Sequence, residues 1–441
     1  MAELRVRPSE GWQGTLRVPG DKSISHRALI LGALAHGTTR VRNWLPAGDC
    51  WSTRRCLLAL GAAIAEEPDG AVVVTGGGPQ ALREPEGILD CGNAGTAMRL
   101  LLGVAAGLPH FTVLDGDASL RRRPMRRVTE PLARMGARVD GRQGGATAPL
   151  AVRGGGLRAI RWQPEVASAQ VKSSILLAGL LADGETVVEE PAATRDHTER
   201  MLRGFGARLD VAGTRIALTG GQRLTGRQVD VPGDLSAAAF FLAAAAILPG
   251  SRVTVQAVGI NPGRTGFLDV LAEMGAEVAL TEQRDVTGEP VADVTVAAPA
   301  GGRLRGVRVA GELVPRLVDE VPILAVVAAC AQGDTVIADA ADLRTKESDR
   351  LHETAVHLAR MGAAIEERRD GLQIRGGARL VGAEVDSAGD HRMAMALAIA
   401  GLAARGETVI GGAESVGISF PEFPRALAAF AGGDRSGAHA S

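Results

Sequence analysis

The stretch VPGDKSISHRALILGALAHGTTRVRN (residues 18–43) is echoed by VPGDLSAAAFFLAAAAILPGSRVTVQAV (residues 231–258). Each copy begins with Val-Pro-Gly-Asp and continues through an Ala/Leu-rich run typical of a helix. After a glycine, each ends in a β-branched run typical of a strand. Internal repetition indicates that one structural unit has been used more than once. The chain therefore divides into two similar halves.

A finer repeat lies within these halves. Glycines that end an Ala/Leu-rich run before a β-branched strand recur about every 70 residues, at Gly37, Gly107, Gly184, Gly250, Gly333 and Gly406. A second marker is an amphipathic helix that closes on a glycine, the usual left-handed cap. It occurs at Gly61, Gly136, Gly206, Gly275 and Gly362. The two markers predict six α/β repeats, of which the sixth is degenerate near residues 423–430.

The positions of the two VPGD copies predict how the chain divides into domains. If the chain crosses between domains at each copy, domain one is discontinuous and comprises residues 1–20 plus 232–441. Domain two then comprises residues 21–231, and the two crossings form a hinge. We expect three repeats in each domain and a disordered tail over residues 432–441, which are rich in Gly and Ser.

The composition excludes several classes of protein. The 441 residues carry 49 basic and 50 acidic side chains, so a generally basic nucleic-acid binder is excluded. The aromatic content of 3% also leaves few rings for stacking on bases. The arginine run from Arg121 to Arg127 is therefore interpreted as mostly solvent-facing, with one or two functional members.

The sequence predicts a cytoplasmic protein. The four cysteines form no CxxC pair, which indicates neither a zinc site nor a disulfide framework. The first residues carry charges where a signal peptide has an apolar stretch. The longest uncharged run, from Leu235 to Leu248, is shorter than the roughly 20 residues that span a membrane.

Small and charged residues begin the Ala/Leu-rich helices, and this pattern favours an anionic substrate. Helix N-termini present free N–H groups and a positive dipole end. Cations lie in the same motifs, among them GDKSISHRA, GNAGTAMR, RRRPMRR, TKESDR and GDHRMAM. Thr96 and Ser236 have a simpler interpretation as helix N-caps.

Eight ordered motifs, DKSISHRALIL, GNAGTAMRLLLG, GDASLRRRPM, SAQVKSSILLAGL, TRDHTE, DEVPILAV, RTKESDRL and GDHRMAMALAIAGL, resemble the EPSP synthase family of enolpyruvyl transferases. The resemblance implies an α/β fold with two domains, each of three βαβαββ units. It implies transfer of the enolpyruvyl group of phosphoenolpyruvate to the 5-hydroxyl of shikimate 3-phosphate, with release of phosphate. It further implies a monomer that needs no metal or organic cofactor.

The resemblance also implies roles for individual residues. Asp319 matches the base for the hydroxyl proton and Glu347 the group that handles protons at the methylene carbon, with Lys22 as a third catalytic residue. The implied ligands of shikimate 3-phosphate are Lys22, Ser23, Arg27, Ser168, Ala169, Gln170, Arg195, Asp319 and Lys346. The implied ligands of phosphoenolpyruvate are Lys22, Gly95, Arg123, Gln170, Arg350 and Arg392. Domain one is accordingly the phosphoenolpyruvate side and domain two the shikimate 3-phosphate side.

Two alternatives have features that discriminate them. The sister enzymes that act on UDP-N-acetylglucosamine commonly carry a cysteine in the loop before the arginine-proline pair, whereas GDASLRRRP has none. A non-catalytic repeat scaffold would tolerate loss of Lys22, Asp319, Glu347 and Arg392. The form SAQVK, with Ala169 where many members have a second serine and with Lys172 behind it, indicates a distinct branch of the family.

Overall fold

The computed structural model describes residues 2–299 and 303–431. The tail predicted over residues 432–441 lies outside this range. The helices are α1 Lys22–Leu34, α2 Gly48–Ala59, α3 Gly95–Gly107, α4 Arg126–Arg134, α5 Arg142–Gly145, α6 Ala169–Leu180, α7 His197–Gly204, α8 Leu235–Ile247, α9 Gly266–Met274, α10 Val321–Cys330, α11 Arg350–Arg360, α12 His391–Ala403 and α13 Phe423–Ala431.

The strands lie before or between these helices, singly or in runs of up to three. They are β1 Leu4–Val6, β2 Gln13–Leu16, β3 His36–Arg42, β4 Ala63–Glu66, β5 Val72–Gly77, β6 Leu89–Asp90, β7 Phe111–Asp115, β8 Arg138–Gly141, β9 Thr147–Arg153, β10 Arg161–Trp162, β11 Glu185–Glu189, β12 Leu209–Ala212, β13 Arg215–Thr219, β14 Gln228–Asp230, β15 Arg252–Gly259, β16 Glu277–Val286, β17 Glu289–Ala297, β18 Arg308–Val309, β19 Asp334–Ile337, β20 Ala364–Arg368, β21 Gly371–Arg375, β22 Glu384–Asp386 and β23 Thr408–Gly411.

The strands form six small sheets, which confirms the six repeats predicted from the sequence. Five sheets have four strands, in the orders β14-β3-β5-β4, β6-β7-β9-β8, β10-β11-β13-β12, β16-β17-β15-β2 and β18-β19-β21-β20. The sixth, β1-β23-β22, has three. After β23 the chain enters α13 instead of a hairpin, so the sixth repeat is degenerate as expected.

Each repeat contributes one helix that is buried along nearly its whole length. These helices are α1, α3, α6, α8, α10 and α12, and they are the Ala/Leu-rich runs of the sequence. A helix that is apolar on all sides is stable only when neighbouring elements cover it completely. In α8, every residue from Leu235 to Ala246 is buried.

The chain divides into two compact units. Unit 1 consists of the chain up to Pro19, Pro232–Arg284 and the chain from Pro290 onward, and unit 2 consists of Gly20–Val231 with Asp285–Glu289. Each unit has its own hydrophobic core. In unit 1 the helices α8, α10 and α12 pack against one another, and in unit 2 helix α3 packs against α1 and α6.

Residues 285–289 group with unit 2, whereas the predicted boundaries assigned them to domain one. They cluster with unit 2 because their side chains bond to it. The Thr287 hydroxyl accepts a hydrogen bond from the Asp230 backbone N–H at 3.1 Å, and Glu289 pairs with His197 at 2.8 Å. Among the helices of the described residues, none is both long and apolar enough to cross a membrane.

Candidate active site

In unit 2, the start of α1 holds two of the predicted cations. Asp21 caps the helix by accepting from the Ile24 N–H at 2.9 Å. Lys22 lies in the first turn, and its ammonium is 2.8 Å from Asp49 of α2. The second cation, Arg27, is one turn further on, and its Nη1 donates to the Ser23 carbonyl at 2.9 Å.

Arg27 is the most enclosed of these cations. Its Nε donates to the Thr198 hydroxyl at 2.7 Å and its Nη2 to the Ser173 hydroxyl at 2.6 Å, so three helices meet at this guanidinium. Burial lowers the pKa of Arg27 to about 10, against the attraction of Glu199 and Asp21. The group therefore remains a cation at neutral pH with a fixed orientation.

The starts of α3 and α6 are joined through Gln170. Its side-chain oxygen accepts from Arg99 Nη1 at 2.5 Å, and its amide donates to the Thr96 hydroxyl at 2.8 Å. Ser168, the N-cap of α6, and Ala169 precede it and are half-buried. The N-terminal ends of α1, α3 and α6 are therefore linked around polar side chains within unit 2.

The N-cap interpretation of Thr96 and Ser236 is wrong. Helix α3 begins after Ala94, which has no polar side chain and gives no side-chain cap, and Thr96 lies inside the helix, where its hydroxyl accepts from Gln170. Helix α8 is capped by Asp234, which accepts from the Ser236 N–H at 2.8 Å.

Most of the arginine run is exposed, as the sequence predicted. Arg121, Arg122 and Arg126 are exposed, whereas Arg123 is buried and donates to the Asn93 side chain. An added Cβ on Gly95 would lie 3.0 Å from Nη1 of Arg123 and 3.1 Å from Nη1 of Arg99. Gly95 thus leaves room beside two guanidinium groups.

In unit 1, Arg350 at the start of α11 joins three carboxylates. Its Nε donates to Asp390 at 2.7 Å, its Nη2 to Glu347 at 2.6 Å and its Nη1 to Asp319 at 3.3 Å. Burial would lower the pKa of Arg350, but the three acids more than offset it and raise the pKa above its ordinary value. The two predicted proton-transfer carboxylates, Asp319 and Glu347, are therefore held by one guanidinium.

Two further predicted cations lie beside Asp319. Lys346 Nζ is 3.7 Å from Asp319 Oδ1 and 3.1 Å from Asp342. Arg392 Nη1 donates to the Asp319 carbonyl at 3.2 Å. The structure thus brings together all five predicted site residues of unit 1, Asp319, Lys346, Glu347, Arg350 and Arg392.

The sequence missed the acids and hydroxyls that hold these cations. Glu320 is buried, lies 3.5 Å from Arg392 and accepts a hydrogen bond from Ser236, which in turn accepts one from Arg264 at 2.6 Å. Asp49 and Asp390 play similar parts for Lys22 and Arg350. A buried acid that pairs with a distant cation leaves no local pattern, although Asp390 was visible as a helix start.

Within the described residues, no group of His, Cys, Asp or Glu side chains is placed to hold a metal ion.

Comparison with known proteins gives one family. The sequence model of EPSP synthase (3-phosphoshikimate 1-carboxyvinyltransferase) matches residues 6–427. The chain is 56% identical over 426 residues to the 3-phosphoshikimate 1-carboxyvinyltransferase of Pelotomaculum thermopropionicum, covering 97% of this chain and 98% of that one. It is 52% identical over 414 residues to that of Geobacillus kaustophilus, covering 93% and 96%.

Solved structures agree with this result. The EPSP synthase of Acinetobacter baumannii superposes with a TM-score of 0.86 at 42% identity and covers 98% of both chains. The enolpyruvyl transferase NikO of Streptomyces tendae superposes with a TM-score of 0.79 over 97% of both chains. Its identity is 18%, so it is evidence for the fold alone.

Proposed function

This chain belongs to the EPSP synthase family and transfers the enolpyruvyl group of phosphoenolpyruvate to the 5-hydroxyl of shikimate 3-phosphate, and we propose that the residues described above carry out that reaction. Phosphate leaves in the reaction, and the expected route is addition followed by elimination. The observation that supports the residue assignment most directly is that Arg350 holds Asp319 and Glu347 together.

We assign shikimate 3-phosphate mainly to unit 2. Its phosphate and carboxylate require cations and N–H donors, which Lys22, Arg27 and the start of α6 provide. Support comes from the hydrogen bonds that fix Arg27, because a guanidinium that is already oriented loses little entropy when it binds an anion. Ser23, Ser168, Ala169, Gln170 and Arg195 complete this set, together with Asp319 and Lys346 of unit 1.

Phosphoenolpyruvate is assigned to four cations, one glycine and one glutamine. Arg350 and Arg392 belong to unit 1, whereas Lys22, Gly95, Arg123 and Gln170 belong to unit 2. The room that Gly95 leaves beside two guanidinium groups supports an anion there. We assign domain one, predicted over residues 1–20 plus 232–441, as the phosphoenolpyruvate side because it carries Arg350 and Arg392.

The proton transfers are assigned to two carboxyl groups with different tasks. Asp319 takes the proton of the attacking hydroxyl, and Glu347 gives a proton to the methylene carbon and later removes one. General acid–base catalysis of this kind contributes roughly 10²–10⁴ to a rate. Lys22 and Lys346 offset the negative charge that collects around the reacting groups. We further propose that the protein is a cytoplasmic monomer.

Phosphate release tests this proposal. The wild-type chain, mixed with phosphoenolpyruvate and shikimate 3-phosphate without added metal, should release inorganic phosphate. Asp319→Asn should lower kcat by about 10²–10⁴, since the amide cannot accept the hydroxyl proton. Calorimetric binding of shikimate 3-phosphate should change by less than about tenfold, because the ligands of unit 2 remain.

Asp269→Asn is the matched control, because Asp269 pairs with Arg316 on the surface of unit 1. Its kcat should stay close to that of the wild type. Release with UDP-N-acetylglucosamine in place of shikimate 3-phosphate, and none with the expected pair, would overturn the substrate assignment. An Asp319→Asn variant with normal kcat would instead remove Asp319 as the base.

A further inference from the structure

Lys172 is a buried cation that the assigned reaction does not use. It lies in the first turns of α6, and its side chain is 2% exposed. Its Nζ is 2.7 Å from Glu190, which follows β11, and 2.8 Å from Glu199 in the first turn of α7. Burial would lower the pKa of Lys172, but the two carboxylates more than offset this effect and raise it. One ammonium therefore joins three separate segments of unit 2.

The first connection leads to Arg195. Glu190 binds Lys172 through Oε2, and its other oxygen, Oε1, accepts a hydrogen bond from the Thr194 hydroxyl. Thr194 directly precedes Arg195, which is assigned to shikimate 3-phosphate. The loop that carries Arg195 is thus anchored to α6 through Glu190 and Lys172.

The second connection leads to Arg27. Glu199 is the neighbour of Thr198 on α7, and Lys172 is the neighbour of Ser173 on α6. The hydroxyls of Ser173 and Thr198 lie 2.6 Å apart, and each accepts a hydrogen bond from Arg27. The Lys172–Glu199 pair therefore holds α6 and α7 at the separation that lets both hydroxyls reach one guanidinium.

Stability alone does not account for this cluster. A buried ion pair gains little net stability over well-packed apolar side chains of similar volume, because both charges lose their hydration. Here one cation serves two carboxylates, burial raises the pKa of Glu199, and Glu199 Oε2 has no hydrogen-bond partner among the described residues. What an apolar replacement could not supply is the defined geometry of these three segments. Helix α6 and the loop after β11 carry assigned ligands, and α7 holds Arg27 through Thr198.

We propose that Lys172 is a positioning residue for the enolpyruvyl transfer, because by joining Glu190 to Glu199 it fixes Arg27 and Arg195 relative to the start of α6 for binding of shikimate 3-phosphate. The proposal rests on the assignment of Arg27 and Arg195 to that substrate. Lys172 contacts no substrate in this scheme. Its loss should therefore weaken binding of shikimate 3-phosphate more than it slows the chemical step.

The test uses the full-length triple variant Lys172→Met/Glu190→Gln/Glu199→Gln, which removes the buried ammonium together with both of its carboxylate partners. Its KM for shikimate 3-phosphate should rise at least about tenfold, whereas kcat and the KM for phosphoenolpyruvate at saturating shikimate 3-phosphate should change less than about threefold. The single variant Lys172→Arg keeps a cation between the two acids. The KM of Lys172→Arg for shikimate 3-phosphate should therefore be much closer to that of the wild type than the KM of the triple variant is.

Val74→Ala is the control for stability, because Val74 is a core residue of β5 in the same unit. It should lower the melting temperature and leave both KM values unchanged. Two results for the triple variant would overturn the proposal. One is a lower melting temperature with both KM values unchanged, as for Val74→Ala. The other is a fall in kcat together with a parallel rise in both KM values. Arg27→Gln, assayed in the same series, tests the substrate assignment separately, since an unchanged KM for shikimate 3-phosphate would remove the premise itself.

Discussion

Arg350 shows how a single buried residue can organise the carboxylates that we assign to catalysis. Its guanidinium donates to Asp390, Glu347 and Asp319 and is 1% exposed. Because the three acids accept from nitrogens of one rigid plane, their relative positions are set by the geometry of the guanidinium. The two carboxylates to which we assign the proton transfers, Asp319 and Glu347, are thereby kept at fixed positions.

A buried histidine beside the assigned cations makes stability depend on pH. His26 lies on α1, and its Nδ1 is 2.6 Å from the Thr53 hydroxyl. Burial, followed by the charges of Lys22 and Arg27, lowers its pKa well below the ordinary value of 6.5. As the pH drops below about 6.5, His26 is protonated in the unfolded chain but stays neutral in the folded chain, so the free energy of unfolding falls.

We expect this histidine to contribute up to about 1.4 kcal/mol per pH unit to the loss of unfolding free energy below its unfolded-state pKa. Urea unfolding of wild type and His26→Asn between pH 7.5 and about 5 measures the difference in slope. His357, whose pKa burial also lowers, is present in both proteins and cancels. Parallel curves for the two proteins would show that His26 is not the responsible group.

At the residue scale, sequence motifs predicted the site residues that lie close together in the chain better than the distant acids that pair with them. TKESDR contains Lys346, Glu347 and Arg350 within one short segment, so their proximity follows from the chain itself. Asp319 joined them only through the family resemblance. Asp49 and Glu320 are recognisable only after folding, because a lone buried acid is indistinguishable in sequence from an exposed one.

At the scale of elements, glycine caps were the most predictable feature. The five glycines expected to close amphipathic helices, Gly61, Gly136, Gly206, Gly275 and Gly362, all have φ between 85° and 111°. Such angles strain a residue with a Cβ, so the sequence must place glycine there. The segment 285–289 could not be predicted in the same way, because its membership of unit 2 depends on bonds to Asp230 and His197 that are distant in the chain.

Helix α13 replaces the hairpin of the sixth repeat, and an aromatic cluster attaches it to unit 1. Phe241 of α8 is fully buried, and its ring lies 5.8 Å from Phe423, 5.9 Å from Phe430, 6.1 Å from Phe420 and 6.3 Å from Trp12. Ring pairs at these separations attract beyond their buried area. In a chain with only 3% aromatic residues, this concentration marks where the repeat pattern ends.

Phe241→Ala should therefore destabilise unit 1 by about 3–5 kcal/mol, because it removes a ring from a site surrounded by others and leaves a cavity. Urea denaturation monitored by circular dichroism measures the loss. Phe111→Ala provides the comparison, since Phe111 is 40% exposed, and should cost less than about 1 kcal/mol. Equal losses for the two variants would mean that the cluster does not hold α13 in place.

At the scale of the whole molecule, six copies of one α/β repeat form two separate hydrophobic cores. The hydrophobic cluster around α8, α10 and α12 contains only residues of unit 1, and the cluster around α1, α3 and α6 only residues of unit 2. The repeat periodicity predicted this number of sheets and buried helices. It could not predict which strands the first two strands pair with, namely β1 with β23 and β2 with β15.

Two separate cores should make unfolding depart from a single two-state transition. We expect a calorimetric enthalpy that exceeds the van't Hoff enthalpy, since each core can melt by itself.

Trp12 is the tryptophan of unit 1, whereas Trp44, Trp51 and Trp162 belong to unit 2. Fluorescence of a Trp12→Phe variant therefore reports on unit 2 alone, and circular dichroism reports on both units. Shikimate 3-phosphate, most of whose assigned ligands lie in unit 2, should raise the fluorescence midpoint by mass action. Coincident fluorescence and circular dichroism midpoints, with equal enthalpies, would show instead that the two cores melt as one.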